Sequence, residues 1–122
     1  MTKTVLMKDH EFYRGLGFVY RYGENVPKDD AEAMKCFRKA ADQGDALAQL
    51  QLGFMYAKGD GAPKDDAEAY KWFLLAGAQG DEDAKKEISE IEREITPAQR
   101  AEGQRLAREW KPRKPREAGT WW

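Results

Sequence analysis

Side chains able to do chemistry are few in this chain, which has one histidine (His10), one cysteine (Cys36) and one serine (Ser89). Covalent or general acid-base catalysis needs a nucleophile or titratable group held against a partner that activates it. Cys36 has no such partner in view and sits at helical spacing among Ala33, Phe37 and Ala40, where a cysteine serves as a small buried hydrophobe. His10 precedes the first apolar helical run, and zinc would need about three further ligands that the sequence does not group around it. The carboxylate pairs Asp29-Asp30 and Asp65-Asp66 each open a predicted helix, where Asp caps backbone N–H groups and a Glu three residues on, Glu32 or Glu68, reaches back to the cap. Gly59-Asp60-Gly61 follows a helix rather than a strand and lacks the Lys-Ser/Thr sequel of a phosphate loop. The expectation is no catalytic residue, no metal and no cofactor.

The elements around these residues are set by an internal repeat. Shifted by 36 residues, LGFVYRYGENVPKDDAEAMKCFRKAADQGDALA (16–48) superimposes on LGFMYAKGDGAPKDDAEAYKWFLLAGAQGDEDA (52–84) with 19 identities. A fixed period in the range of 20 to 50 residues signals stacked supersecondary units. In each unit the first helix carries an apolar face at i, i+4, i+7 and i+8, which in the second copy is Ala48, Leu52, Met55 and Tyr56. Gly23 and Gly59 end these helices, since glycine adopts the left-handed conformation that closes terminal carbonyls. The second helix buries Ala69, Trp72, Phe73 and Ala76, matched by Ala33, Cys36, Phe37 and Ala40 in the first copy.

A third, incomplete unit begins at Asp81 with Ala84, Ile88, Ile91 and Ile95 on one face. Thr96 and Pro97 then start a further helix as N-cap and first helical residue, and Leu106, Ala107 and Trp110 supply its packing face. The domain spans 9–110, with repeats at about 9–44 and 45–80 and a divergent capping pair at 81–110. Residues 1–8 form an N-terminal extension. KPRKPREAGTWW (111–122) reads as a flexible basic tail, because its prolines and cations oppose a continuing helix.

The pattern A-x-x-x-L-G-x-M-Y-x-x-G-x-G, then D-x-x-x-A-x-x-W-F-x-x-A, then Q-G-D and Ala84, resembles the Sel1-like repeat of the tetratricopeptide-like group. The second unit departs from it only at Ala62 and Gly77. The first departs more, with Phe12 for the alanine matching Ala48, Asn25 for the second loop glycine and Cys36 for the tryptophan, as suits a terminal repeat without a neighbour. TPAQRAEGQRLAREW is similar to the segment that often ends bacterial proteins of this type. The resemblance implies an all-α, right-handed α/α solenoid of about six helices, and protein interaction as its use.

Composition narrows the partner. Charged residues are 35% of 122, yet 21 Lys and Arg face 22 Asp and Glu, so the formal net charge is -1. A nucleic-acid binder carries a basic excess to neutralise phosphates. No run approaches the roughly 20 apolar residues of a membrane span, and MTKTVLMKDHEF lacks the apolar core of a signal peptide. With a single cysteine, these features predict a cytoplasmic protein that binds neither nucleic acid nor membrane.

The binding surface is then expected on the concave side, where the first helices of stacked hairpins present their non-packing positions. These are Arg14, Phe18, Arg21 and Tyr22 in the first copy and Leu50, Gln51, Phe54 and Lys58 in the second. Exposed Phe18 and Phe54 among cations have the composition of an interface hot spot. The third unit offers Asp83, Glu87, Glu90 and Glu94 instead, so the groove is basic at one end and acidic at the other. Trp121 and Trp122 are a second docking element, for a partner, for the chain's own groove or for a second copy. The reading is a non-catalytic adaptor or scaffold that binds a protein or peptide as a monomer or weak homodimer. Its alternatives are an inhibitor or immunity protein dedicated to one toxin or enzyme, and a structural homo-oligomer.

Overall fold

A computed structural model of the chain describes residues 8–113. Six helices follow one another: α1 (Asp9–Tyr22), α2 (Asp30–Asp42), α3 (Ala46–Lys58), α4 (Asp66–Ala78), α5 (Glu82–Ile91) and α6 (Pro97–Glu109). Pairs α1/α2 and α3/α4 are the two hairpins, α2 packs on α3, and α4 carries both α5 and α6. There is no strand among the described residues, and no helix of theirs is long and apolar enough to cross a membrane.

Helix starts follow the predicted chemistry. Asp29 and Asp65 accept from the N–H groups of Glu32 and Glu68, each at 3.1 Å. Asp45 and Asp81 cap α3 and α5 in the same way, from Ala48 and Ala84. Glu32 and Glu68 do not reach back to their caps as expected. They turn along the helix toward Lys35 and Lys71, which lie one turn on and offer a charge. The complete reciprocal box forms at Thr96 and Gln99, with bonds of 3.1 and 2.9 Å. At the other ends, Gly23 and Gly59 adopt φ of 70° and 78° and donate to Val19 and Met55.

The Leu-Gly pair of each first helix has a packing reason. A Cβ at Gly17 would run into the ring of Phe37, and one at Gly53 into the ring of Phe73, so glycine lets the two helices of a hairpin close on an aromatic side chain. Gly77 leaves room in the same sense for Ile88 of α5, and Gly103 lets α6 seat against Tyr70 of α4. The seat is tied by Tyr70, whose hydroxyl donates to Glu92 at 2.6 Å, and by Arg100, 3.2 Å from the same carboxylate.

The core is two connected clusters. One gathers Ala33, Phe37, Ala40, Ala48, Leu52, Met55 and Trp72, with Tyr13, Phe18 and Trp110 against it. The other gathers Leu50, Ala69, Tyr70, Phe73, Ala76, Ala84 and Ile91. Trp72 is wholly enclosed, with Lys71 Nζ 4.2 Å and the Arg38 guanidinium 5.3 Å from its ring centroid. Cys36 is buried too.

Polar side chains set the stacking register. Gln79, after α4, donates to the Gly44 carbonyl at 2.8 Å and to the Gln49 side chain at 2.9 Å, and the fully buried Gln49 donates to the Ala41 carbonyl. Beyond α6 the backbone is extended and Arg113 N–H donates to the Asp42 carbonyl at the end of α2. Residues 111–113 of the expected tail are exposed. Its remainder, with Trp121 and Trp122, lies outside the described residues, as do residues 1–7.

Candidate inner-face binding site

Arg21, Tyr22, Gln51, Phe54 and Lys58 line one cavity of about 360 Å³. Arg21 and Tyr22 come from the last turn of α1, and the other three from α3. Five of the eight residues expected on the inner face are thus brought together by two consecutive repeats.

Their roles differ. Tyr22 is 64% exposed and lies parallel to Phe18, with ring centroids 6.0 Å apart. Phe18 and Phe54 are half-buried rather than exposed, because each sets its ring nearly perpendicular to the phenylalanine of its own hairpin partner, Phe37 at 5.0 Å and Phe73 at 5.5 Å. Phe54 thereby ties the cavity wall to the core, and Phe18 stacks on Tyr22 of that wall without lining the cavity itself. Gln51 adds a half-buried amide and Lys58 an exposed ammonium.

Three expectations are corrected. Leu50 is 3% exposed and belongs to the second core cluster, so it packs toward α4 and α5 instead of facing a partner. Arg14 spends its charge on Asp45, 2.7 Å away, and is not a free cation of the groove. Arg21 lines the cavity but bridges Asp30 at 3.3 Å and Asp60 at 3.1 Å, with its side chain only 15% exposed. The basic end of the groove therefore reduces to Lys58, which makes no ion pair among the described residues.

The arginines hold the two first helices in register. Asp45 Oδ1 caps α3, while its Oδ2 accepts from both Arg14 and His10 Nδ1 at 2.7 Å, with the carboxylate 1% exposed. Arg21 does the same at the far end by joining α1, α2 and the loop after α3. Sequence reasoning assigned Asp45 no partner and set His10 before the first helix without one. A signal was present in the repeat itself: His10 and Arg14 align with the apolar Ala46 and Leu50, so the first repeat alone carries polar residues at the two positions that meet Asp45.

The titratable side chains with shifted pKa values near this site lie in the core rather than in the cavity. Burial pushes the Cys36 thiol above its usual range, helped by the Glu32 carboxylate, which disfavours the thiolate a nucleophile needs. Burial likewise lowers Lys71 and raises Tyr56, but both are packed around Trp72 and Met55 rather than placed in the cavity. No three His, Cys, Asp or Glu side chains converge as a metal site among the described residues.

Comparison with known proteins agrees with this architecture. The family described as Sel1 repeat matches residues 10–45 and 46–81. A protective antigen of uropathogenic Escherichia coli strains with an SLR fold is similar over 83% of this chain, at 29% identity and a TM-score of 0.79. A Sel1 repeat protein from Oxalobacter formigenes is similar over 66% of the chain, at 38% identity and a TM-score of 0.65. The chain spans 22% of the first structure's length and 61% of the second's. No curated protein matches.

Proposed function

The chain belongs to the Sel1 repeat family, and from that premise we propose that it is a non-catalytic adaptor whose inner face, between α1 and α3, binds a segment of another protein. The fold of this family is generally a scaffold for protein interaction. The observation that carries the reading is the cavity lined jointly by Tyr22, Arg21, Gln51, Phe54 and Lys58. An exposed tyrosine, a half-buried phenylalanine and a free ammonium around a concavity supply the rigid aromatic area and the single orienting charge that hot spots combine. Arg21 contributes by fixing the cavity's width, since its two carboxylate partners come from different repeats.

Tyr22→Ala with Lys58→Glu tests the reading with little effect on the fold, because both side chains are exposed, whereas Ala at Phe18 or Phe54 would also loosen the contacts with Phe37 and Phe73. The expected result is capture of a partner from the host lysate by the wild type, loss with this double variant, and retention with Lys35→Ala on the outer face of α2. Equal capture by the groove variant and the wild type overturns it.

A further inference from the structure

Resting on that reading of the inner face, we propose that one of its occupants is segment 111–122 of a second copy of this chain. Its cations would lie along α5, and Trp121 and Trp122 would enter the cavity between α1 and α3. The inner face changes character from one repeat to the next. Asp83, Glu87, Glu90 and Glu94 stand 36 residues after Leu47, Gln51, Phe54 and Lys58, so α5 and the turn after it carry carboxylates where α3 presents the cavity wall. Ala84 and Ile91 are buried like their equivalents Ala48 and Met55, which gives α5 the same rotation as α3. Of the cations on α5 and in the turn after it, Lys85 is taken by Glu82 at 3.2 Å and Arg93 lies 3.8 Å from Glu90, while Lys86 is exposed. Phe54 of the cavity wall packs against the same core cluster as Ala84 and Ile91, so the acidic helix and the aromatic cavity share that cluster.

KPRKPREAGTWW carries the complementary order, with Lys111, Arg113, Lys114 and Arg116 first and the tryptophan pair five residues later. Five extended residues span at most about 17 Å. From the axis of α5 to the seam between α1 and α3 is about one and a half helix diameters, or roughly 15 to 18 Å. Cations then meet carboxylates while the indoles reach Tyr22 and Phe54.

The chain's own segment has the wrong order for this site. Trp110 packs on the first core cluster and Arg113 N–H is bonded to the Asp42 carbonyl at the end of α2. The segment therefore leaves its own body beside the end of α2, whose buried residues belong to the first core cluster, whereas Ala84 and Ile91 of α5 belong to the second. A second copy, tethered to its own α2, can present the same segment from the opposite direction, and reciprocal exchange closes a two-fold dimer.

Sedimentation velocity of the full chain across the micromolar range tests the proposal. The expected result is a concentration-dependent shift from one chain mass to two. Trp121→Ala with Trp122→Ala should raise the dimer dissociation constant at least about tenfold, given the apolar area of two indoles. Glu87→Lys with Glu90→Lys should do the same, and adding Lys114→Glu with Arg116→Glu to that variant should restore the dimer. A wild type that stays at one chain mass, a dimer indifferent to the tryptophan pair, or no rescue by the charge exchange overturns it. Lysate capture that depends on Tyr22 and Lys58 while the chain stays monomeric overturns only the tail's role and leaves the inner face as the binding surface.

Discussion

Asp45→Ala should cost far more than Asp81→Ala, although both remove an N-cap at the start of a first helix. At each site one bond to a backbone N–H is lost, 2.9 Å to Ala48 and 2.8 Å to Ala84. A cap of this kind contributes about 1 kcal/mol. Asp45 also receives His10 and Arg14 at 2.7 Å, on a carboxylate that is 1% exposed, and Asp81 has no such partners among the described residues. Hydrogen bonds to charged groups are worth about 1.5 to 3 kcal/mol when buried. His10 and Arg14 are 31% and 34% exposed, and solvent screening brings their joint share to roughly 1 to 2 kcal/mol. Asp45→Ala should therefore lose about 2 to 4 kcal/mol and Asp81→Ala about 1. At about 2.1 cal/mol/K of unfolding entropy per residue, the falls in Tm are roughly 8 to 16 °C and 4 °C. Urea or thermal denaturation followed by far-ultraviolet circular dichroism reads both. Equal losses would refute the argument that Asp45 clamps one repeat to the next.

Three further outcomes follow from the packing and the charges. Gly53→Ala should destabilise by about 1 to 3 kcal/mol, because the new methyl meets the Phe73 ring, while Gly15→Ala, with open space around it, should stabilise by about 0.5 to 1 kcal/mol; calorimetry of the two variants separates packing from helix propensity. Trp72→Ala should lose roughly 3 to 5 kcal/mol in chemical denaturation through the cavity left in the first core cluster, and an unchanged midpoint would show the assigned repeat register to be wrong. Asp30 is held below its usual carboxyl value of 3.8, first by the hydrogen bond from Lys28 and then by the Arg21 charge. Its contribution to stability is complete above pH 3.8 and is lost as pH falls through the depressed value, so wild type and Asp30→Asn should differ in midpoint at pH 7 and converge in acid, as a denaturation series in pH will show.

The architecture was legible because the repeat writes it twice. Asp29 and Asp65, Gly23 and Gly59, Phe37 and Phe73 occupy equivalent places, and each copy checks the other's reading. What stayed hidden were contacts between copies, which a helix-by-helix pattern does not contain. Arg14 and Arg21 looked like groove cations, yet their partners Asp45, Asp30 and Asp60 belong to other elements and take up the charge. Leu50 looked exposed because α3 alone has a polar side, and only the arrival of α4 and α5 covers it. Tyr22, Gln51, Phe54 and Lys58 needed no such partner, and they are the residues that line the cavity together with Arg21.

The central claim, that partners bind on the inner face between α1 and α3, is tested most directly by a photo-crosslinking amino acid placed at Lys58 in the native host. A matched probe at Lys35 on the outer face serves as control, since both positions are exposed. The account predicts a discrete covalent adduct from position 58 and none from position 35. Adducts from position 35 with none from position 58 would contradict it.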